Sequence, residues 1–143
     1  TLAPISQLAA EEGVGVTAVI SARSPSLLMS KELFEKIGAN IITVTDTDGT
    51  SSVKNLEYLL EELIEEGRIN AFFTCGSTRL LNLVKNLGQK HGIPGQVALE
   101  QLMACGLGPC YICVRTFEVN GKQVLRRICK DGPVFDVKEA IGW

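Results

Sequence analysis

The chain is poor in histidine, in unbalanced charge and in long apolar runs, and each scarcity removes a class of function. Its one histidine, His91, stands in Lys90-His91-Gly92. That setting reads as a helix C-terminus, where a cationic side chain meets the negative end of the dipole. No Ser/His/Asp or Cys/His constellation can be built around it. A formal charge of −2 gives no electrostatic footprint for nucleic acid or for an anionic membrane surface, so neither is expected as a partner. No apolar run approaches the length of a bilayer-spanning helix, and Thr1-Leu2-Ala3-Pro4 lacks the basic end and apolar block of a signal peptide. A soluble, cytoplasmic protein is expected. The chain also lacks an initiator Met, as a fragment of a longer polypeptide would, and it has no internal repeats or low-complexity linkers.

What is present is enough apolar residue, 45% of 143, to bury one real core with a small appendage. The pattern along the chain alternates helix and strand. Pro4 to Glu12 predicts a helix with Pro in its first turn, and Gly13 to Ile20 predicts a strand too continuously apolar for one solvated face. Ser24-Pro25 opens a predicted helix carrying Leu27, Leu28, Leu33, Phe34 and Ile37 and ending at Gly38. Ile41 to Val44 follows as a strand. Leu56, Leu59, Leu60, Leu63 and Ile64 recur at helical spacing until Gly67. Ile69 to Thr74 reads as a strand, Ser77 to Lys90 as an amphipathic helix, and Gln96 to Leu99 as a last short strand. This alternation is the pattern of an α/β protein with an open, doubly wound parallel sheet. Gly13-Val14-Gly15 is not a dinucleotide fingerprint, because no third glycine follows at the required spacing and the order is helix then strand.

Four of the five cysteines fall in the last third, in Met103-Ala104-Cys105-Gly106-Leu107-Gly108-Pro109-Cys110-Tyr111-Ile112-Cys113 and Arg127-Ile128-Cys129. Cys105 and Cys110 are separated by four residues and Cys110 and Cys113 by two, with the fourth cysteine distant; this is the plant-type spacing of a [2Fe-2S] cluster. Gly106 and Gly108 allow backbone to approach a cluster closely. Val114 to Val119 and Lys122 to Ile128, joined by Asn120-Gly121, read as a β-hairpin with a type I′ turn, which would return Cys129 to the first three cysteines. A structural zinc site is the competing reading, although zinc sites favour two C-x-x-C knuckles and only Cys110 and Cys113 form one. A Rieske centre needs two histidines. Disulfides sit poorly with an odd cysteine count and no secretory segment.

The segment Met103 to Cys113, with Cys129-Lys130-Asp131-Gly132-Pro133-Val134-Phe135, resembles the cluster-binding region of the dihydroorotate dehydrogenase electron-transfer subunits. These are ferredoxin-NADP reductase-like flavoproteins with an FAD-binding barrel, a nucleotide-binding α/β domain and a C-terminal [2Fe-2S] segment. Related diaphorase subunits of hydrogenases and sulfite reductases share the Asp-Gly-Pro-Val-Phe ending, but usually carry Gly-His where this chain has Tyr111-Ile112. The resemblance implies an NAD-binding α/β domain over residues 1–102 and a cysteine-rich β-hairpin lobe over 103–143. The four cysteines would hold the cluster, and Phe135 would be an apolar cover over it. Its cofactors would be NAD(H), FAD held mainly by a separate FAD-binding domain, and the cluster. An FMN-containing catalytic subunit would be its hetero-oligomeric partner. It also implies a first strand and Gly-rich loop standing immediately before Leu2.

Ligands of open α/β sheets bind beyond the carboxyl ends of the strands, which points to Arg23-Ser24, the loop with Asp46 and Asp48, and Cys75-Gly76. Arg23 could reach a phosphate or ribose, or be plain surface. Asp46 and Asp48 resemble the family's Thr-Asp-Asp-Gly loop beneath the nucleotide, although the family continues Ser-Tyr-Gly where this chain has Thr50-Ser51-Ser52. The alternative is turn chemistry and helix capping. Cys75-Gly76 matches the family's Cys-Gly pair near the nicotinamide and flavin. The alternative is a small core thiol followed by a helix cap at Ser77. An electron-transfer subunit is one functional expectation, a diaphorase-type subunit a second, and a zinc-stapled interaction domain without redox chemistry the third.

Overall fold

The computed structural model describes residues 2–142, which pack as two units, residues 2–62 and 63–142. The fold is α/β, as the alternating pattern predicts. Among the described residues its strands lie in three small sheets: one parallel pair, one mixed three-stranded sheet and one antiparallel pair.

The first unit starts with α1, Ala3–Glu11, with Pro in its first turn where a missing N–H costs nothing. Strand β1 is Thr17–Ala22 and β2 is Asn40–Thr45; they pair in parallel from Thr17 opposite Asn40 to Ala22 opposite Thr45. The predicted strand starts too early, because Gly13 and Val14 close α1 by donating to the carbonyls of Ala10 and Ala9. Val19 is also partly exposed, so this strand does have a solvated side.

The helix predicted from Ser24 to Gly38 divides in two. Pro25–Leu27 makes only a 3-10 turn, Leu28 is extended and Ser30 is left-handed, so α2 is confined to Lys31–Lys36. Apolar spacing alone could not reveal the break: Leu27, which belongs to the pattern, is exposed. Helix α3, Val53–Glu65, follows the loop after β2. Both α2 and α3 end as glycine predicts. Gly38 and Gly67 each take a φ of 69°, and they donate to Glu35 and Ile64, satisfying carbonyls the helix leaves open.

In the second unit β3, Phe72–Cys75, pairs in parallel with β4, Gly95–Ala98, through the crossover helix α4, Thr78–His91. Leu81, Val84 and Leu87 recur on one face of α4 and are buried. Strands β5, Val114–Val119, and β6, Lys122–Arg127, form an antiparallel ladder closed by Asn120-Gly121. Both turn residues have positive φ, 52° and 73°, which is what a two-residue type I′ connection requires. A single helical turn, α5, covers Ile128–Asp131, and β7, Val134–Asp136, pairs antiparallel with β4.

This last pairing carries the chain that follows the cysteine loop back onto the mixed sheet. Phe135 is opposite Val97 in β4 and its ring lies 4.5 Å from that of Phe117 in β5. Phe117, Ile128 and Val137 are all 0% exposed. The main chain adds Glu118 N–H to the Glu139 carbonyl at 2.8 Å, and Lys85 donates from α4 to the Ala140 carbonyl at 2.9 Å. The hairpin and the mixed sheet thus share one core.

Candidate metal centre

The hairpin explains the placement of the thiols. Val114 opposite Arg127 is the last rung of the ladder, so Cys113 and Ile128 leave it side by side, and Ile128 N–H donates to the Cys113 carbonyl at 3.2 Å. One residue further, Cys129 sits in α5 with its sulfur 3.2 Å from that of Cys113. The sulfurs of Cys105 and Cys110 are 3.1 Å apart, and Leu107 N–H donates to the Cys105 sulfur at 3.4 Å. All five cysteines are free thiols. The two close pairs stand well beyond the ~2.05 Å of a disulfide and short of the ~3.7 Å that two thiolates span on one tetrahedral metal.

The four cysteines therefore stand as two pairs. Sequence reasoning expects all four sulfurs around one centre, yet among the described residues no three metal-ligating side chains form a single group. The charges of Cys105 and Cys110 also contribute to raising the Cys129 thiol. That thiol is raised first by its bond to Cys113 and by burial. The converse holds for its partners. The N–H and thiol of Cys110, with Leu107 N–H, bring Cys105 down to about 6, and Cys129 N–H heads the groups that lower Cys113.

The surroundings are asymmetric. Cys113 is 1% exposed over the core, while Cys110 lies open. Gly108 is buried, and a Cβ there would stand 3.0 Å from Lys130 Cδ, so the loop lies directly on α5. Leu102, Met103, Leu107, Tyr111 and Ile112 are all exposed around the thiols. Phe135, expected as an apolar cover over the cluster, is buried, with its ring against Gly132 just after α5.

Sequence reasoning missed Arg127, whose guanidinium lies 5.2 Å from the centre of the Tyr111 ring and reaches the Gly108 carbonyl at 3.5 Å. Asp131 accepts from the Arg127 backbone N–H at 2.8 Å and from Nε at 3.2 Å. These bonds hold the Asp131 carboxyl below the usual range and raise the Arg127 guanidinium. The i, i+4 spacing of opposite charges around Cys129 was the available signal.

The other singled-out residues sit at strand ends. Arg23 and Ser24 follow β1, Asp46 and Asp48 follow β2, and the main chain joins the two loops: Asp46 N–H donates to the Ala22 carbonyl and Thr47 N–H to that of Arg23, both at 3.1 Å. Both carboxylates take part in the second loop's own structure. Asp48 accepts from Thr45 Oγ1 at 2.7 Å and Asp46 from Ser51 Oγ. Arg23 is exposed, and Ser24 meets Ser26 at 3.0 Å. Cys75 ends β3 in the second unit, half-buried, and Gly76 follows with φ of 139°.

An α/β fold that carries paired thiols on a loop and a hairpin return defines a class. The backbone is similar to a chain of the NADH-dependent reduced ferredoxin-NADP oxidoreductase, a structure solved for insights into flavin-based electron bifurcation, with a TM-score of 0.74 and 25% identity. The likeness covers 96% of this chain and 48% of that one. More particularly, residues 100–141 match the family described as the iron-sulfur cluster binding domain of dihydroorotate dehydrogenase B, and most of the chain resembles electron transfer subunits of that enzyme. It is 32% identical to the dihydroorotate dehydrogenase B (NAD(+)) electron transfer subunit of Caldanaerobacter subterraneus, over 77% of this chain and 43% of that protein. It is 30% identical to the probable one of Methanopyrus kandleri over 99% and 51% respectively. For the probable subunit of Methanocaldococcus jannaschii the figures are 29%, 87% and 46%. The chain spans about half the length of the curated relatives it matches. No helix among the described residues is long and apolar enough to cross a membrane.

Proposed function

We propose that this chain is the C-terminal part of an oxidoreductase electron-transfer subunit, passing electrons between NAD(H), FAD and a [2Fe-2S] cluster. The far end of the chain of carriers is an FMN-containing dihydroorotate dehydrogenase catalytic subunit of pyrimidine biosynthesis, in the cytoplasm. The observation that carries this reading is the arrangement of the thiols as two close pairs, Cys105 with Cys110 and Cys113 with Cys129. Two irons with two thiolates each need that arrangement, whereas one zinc ion needs four ligands around a single point.

When bound, the cluster supplies a one-electron relay between a two-electron flavin and the partner. The chain's own residues do the holding. Cys105, with its thiol at about 6, is thiolate at neutral pH and ready to ligate. Gly108 lets the loop lie on α5. The exposed apolar rim of Leu102, Met103, Leu107, Tyr111 and Ile112 would keep water from the thiolates once a catalytic subunit docks there.

Residues 1–102 supply the nucleotide side. In the intact protein the parallel pairs would belong to one open, doubly wound sheet, with the FAD-binding domain preceding it. NAD(H) would lie across the strand ends, with Arg23 and Ser24 toward its phosphates, Asp46 and Asp48 shaping the loop beneath it, and Cys75-Gly76 near the nicotinamide and flavin. Residues 103–143 supply the cluster. No substrate chemistry takes place on this chain.

Anaerobic purification of the full-length protein tests the reading. A brown sample with about two irons and two sulfides per chain, bleached by dithionite, is expected. A colourless protein with one bound zinc would overturn it in favour of a non-redox interaction domain. The likeness to ferredoxin-NADP oxidoreductase keeps a diaphorase-type subunit as the second reading, and the identity of the co-purifying subunit separates the two.

A further inference from the structure

The thiols come from two segments, the loop 105–113 with three and α5 with the fourth. A side chain that touches both is Arg127. Asp131 fixes its orientation with a two-pronged bond, Nε to Oδ2 at 3.2 Å and Nη2 to Oδ1 at 3.3 Å. The remaining Nη1 reaches back to the Gly108 carbonyl at 3.5 Å, and the guanidinium carbon lies over the Tyr111 ring, 5.2 Å from its centre. Gly108 and Tyr111 flank Cys110, the exposed ligand.

We propose that Arg127, oriented by Asp131, is a positioning residue that locks the cysteine loop to the fourth ligand's turn and sets both the retention and the potential of the cluster. The inference rests on the iron–sulfur reading of the site. An isolated surface ion pair at this exposure would be worth little. This one differs because the same guanidinium makes three kinds of contact, with carboxylate, backbone carbonyl and ring face, and only a planar fork makes all three. Lysine in its place would keep the charge and lose the geometry. The pair also places one positive and one negative charge beside a centre that gains an electron on reduction. The cation favours the reduced form and the carboxylate opposes it.

The test uses the full-length holo-protein purified anaerobically, with R127Q, R127K and D131N. Loss of the visible cluster absorbance to an iron chelator gives retention, and a redox titration gives the potential. R127Q should lose its cluster about tenfold faster, as expected when a contact that orients a metal-ligating loop is removed, and R127K by a smaller factor. The potential should fall in R127Q, rise in D131N and stay in place in R127K. A merely structural role would not move R127Q and D131N in opposite directions. Wild-type retention in both Arg127 variants, or potentials shifted in the same direction by R127Q and D131N, overturns the proposal. Should R127Q not accumulate, R127K decides alone, and wild-type retention in it is the overturning result. A wild-type protein that carries no iron or sulfide instead overturns the cluster reading, and this proposal with it.

Discussion

Cys113 and Cys129 are sixteen residues apart in sequence and 3.2 Å apart at sulfur, because the β5–β6 ladder ends on the rung beside them. The pairing depends on register. One residue inserted between Asn120 and Gly121 would turn one strand's side chains over relative to the other and withdraw Cys129. Cluster content should drop to background in the insertion variant and in Cys113→Ser and Cys129→Ser. It should stay at the wild-type level in Cys75→Ser, which changes a thiol at the end of β3. Iron and sulfide assays on anaerobic protein check this, and loss of cluster in the Cys75 variant would contradict the ligand assignment.

The contact between Phe117 and Phe135 joins the hairpin to β7. Phe117 is wholly buried, with Arg126 over its outer side at 5.4 Å. Phe117→Ala should cost about 3–5 kcal/mol, the range for emptying a buried aromatic site. Phe117→Leu, which refills most of the volume, should cost much less. Chemical denaturation of the metal-free protein measures both. Because Cys113 and Cys129 flank the hairpin's open end, the Ala variant should also hold less iron.

The ends of α2 and α3 and the hairpin were legible in the sequence because glycine at a helix stop and Asn-Gly between alternating strands are local signals with one structural solution. The return of Cys129 to the side of Cys113 was legible with the hairpin, because an antiparallel pair brings its two ends together. The break at Leu28 to Ser30 was not, since a leucine-rich run reads alike whether its side chains are buried or exposed. Nor was the place of Phe135. Its pairing with Val97 joins residues thirty-eight apart, and nothing near Phe135 announces that β7 will add to β4. The clamp of Arg127 and Asp131 was visible only as an i, i+4 charge pair, a pattern common on ordinary helical turns.

The thiol of Cys105 falls to about 6 from an ordinary 9.0, chiefly through the N–H and thiol of Cys110. The folded protein therefore favours the thiolate relative to the unfolded chain. The stability this contributes is fully present above pH 9 and is lost as pH falls through about 6. In metal-free protein, alkylation of Cys105 by iodoacetamide, followed residue by residue by mass spectrometry, should reach half its limiting rate near pH 6. A half-point near 9 would show that Cys110 and Leu107 do not act on it.

The two loops beyond β1 and β2 divide between structure and binding, and substitution separates the roles. Asp48 accepts from Thr45, which is buried, and Asp46 from Ser51, also buried. Removing either carboxylate leaves a buried hydroxyl without that partner. Asp46→Ala and Asp48→Ala should therefore lower the thermal midpoint of the full-length protein. Arg23 is exposed at the end of β1, so Arg23→Ala should leave the midpoint unchanged. If Arg23 meets a nucleotide phosphate, its loss removes a charge-assisted hydrogen bond of about 1.5–3 kcal/mol, and NADH should bind about tenfold or more weakly. Calorimetric titration with NADH, set beside thermal melts of the same three variants, reads both effects. An Arg23 variant with wild-type affinity would make that arginine plain surface. An Asp48 variant with an unchanged midpoint and lost NADH binding would move that carboxylate from the loop's framework to the ligand.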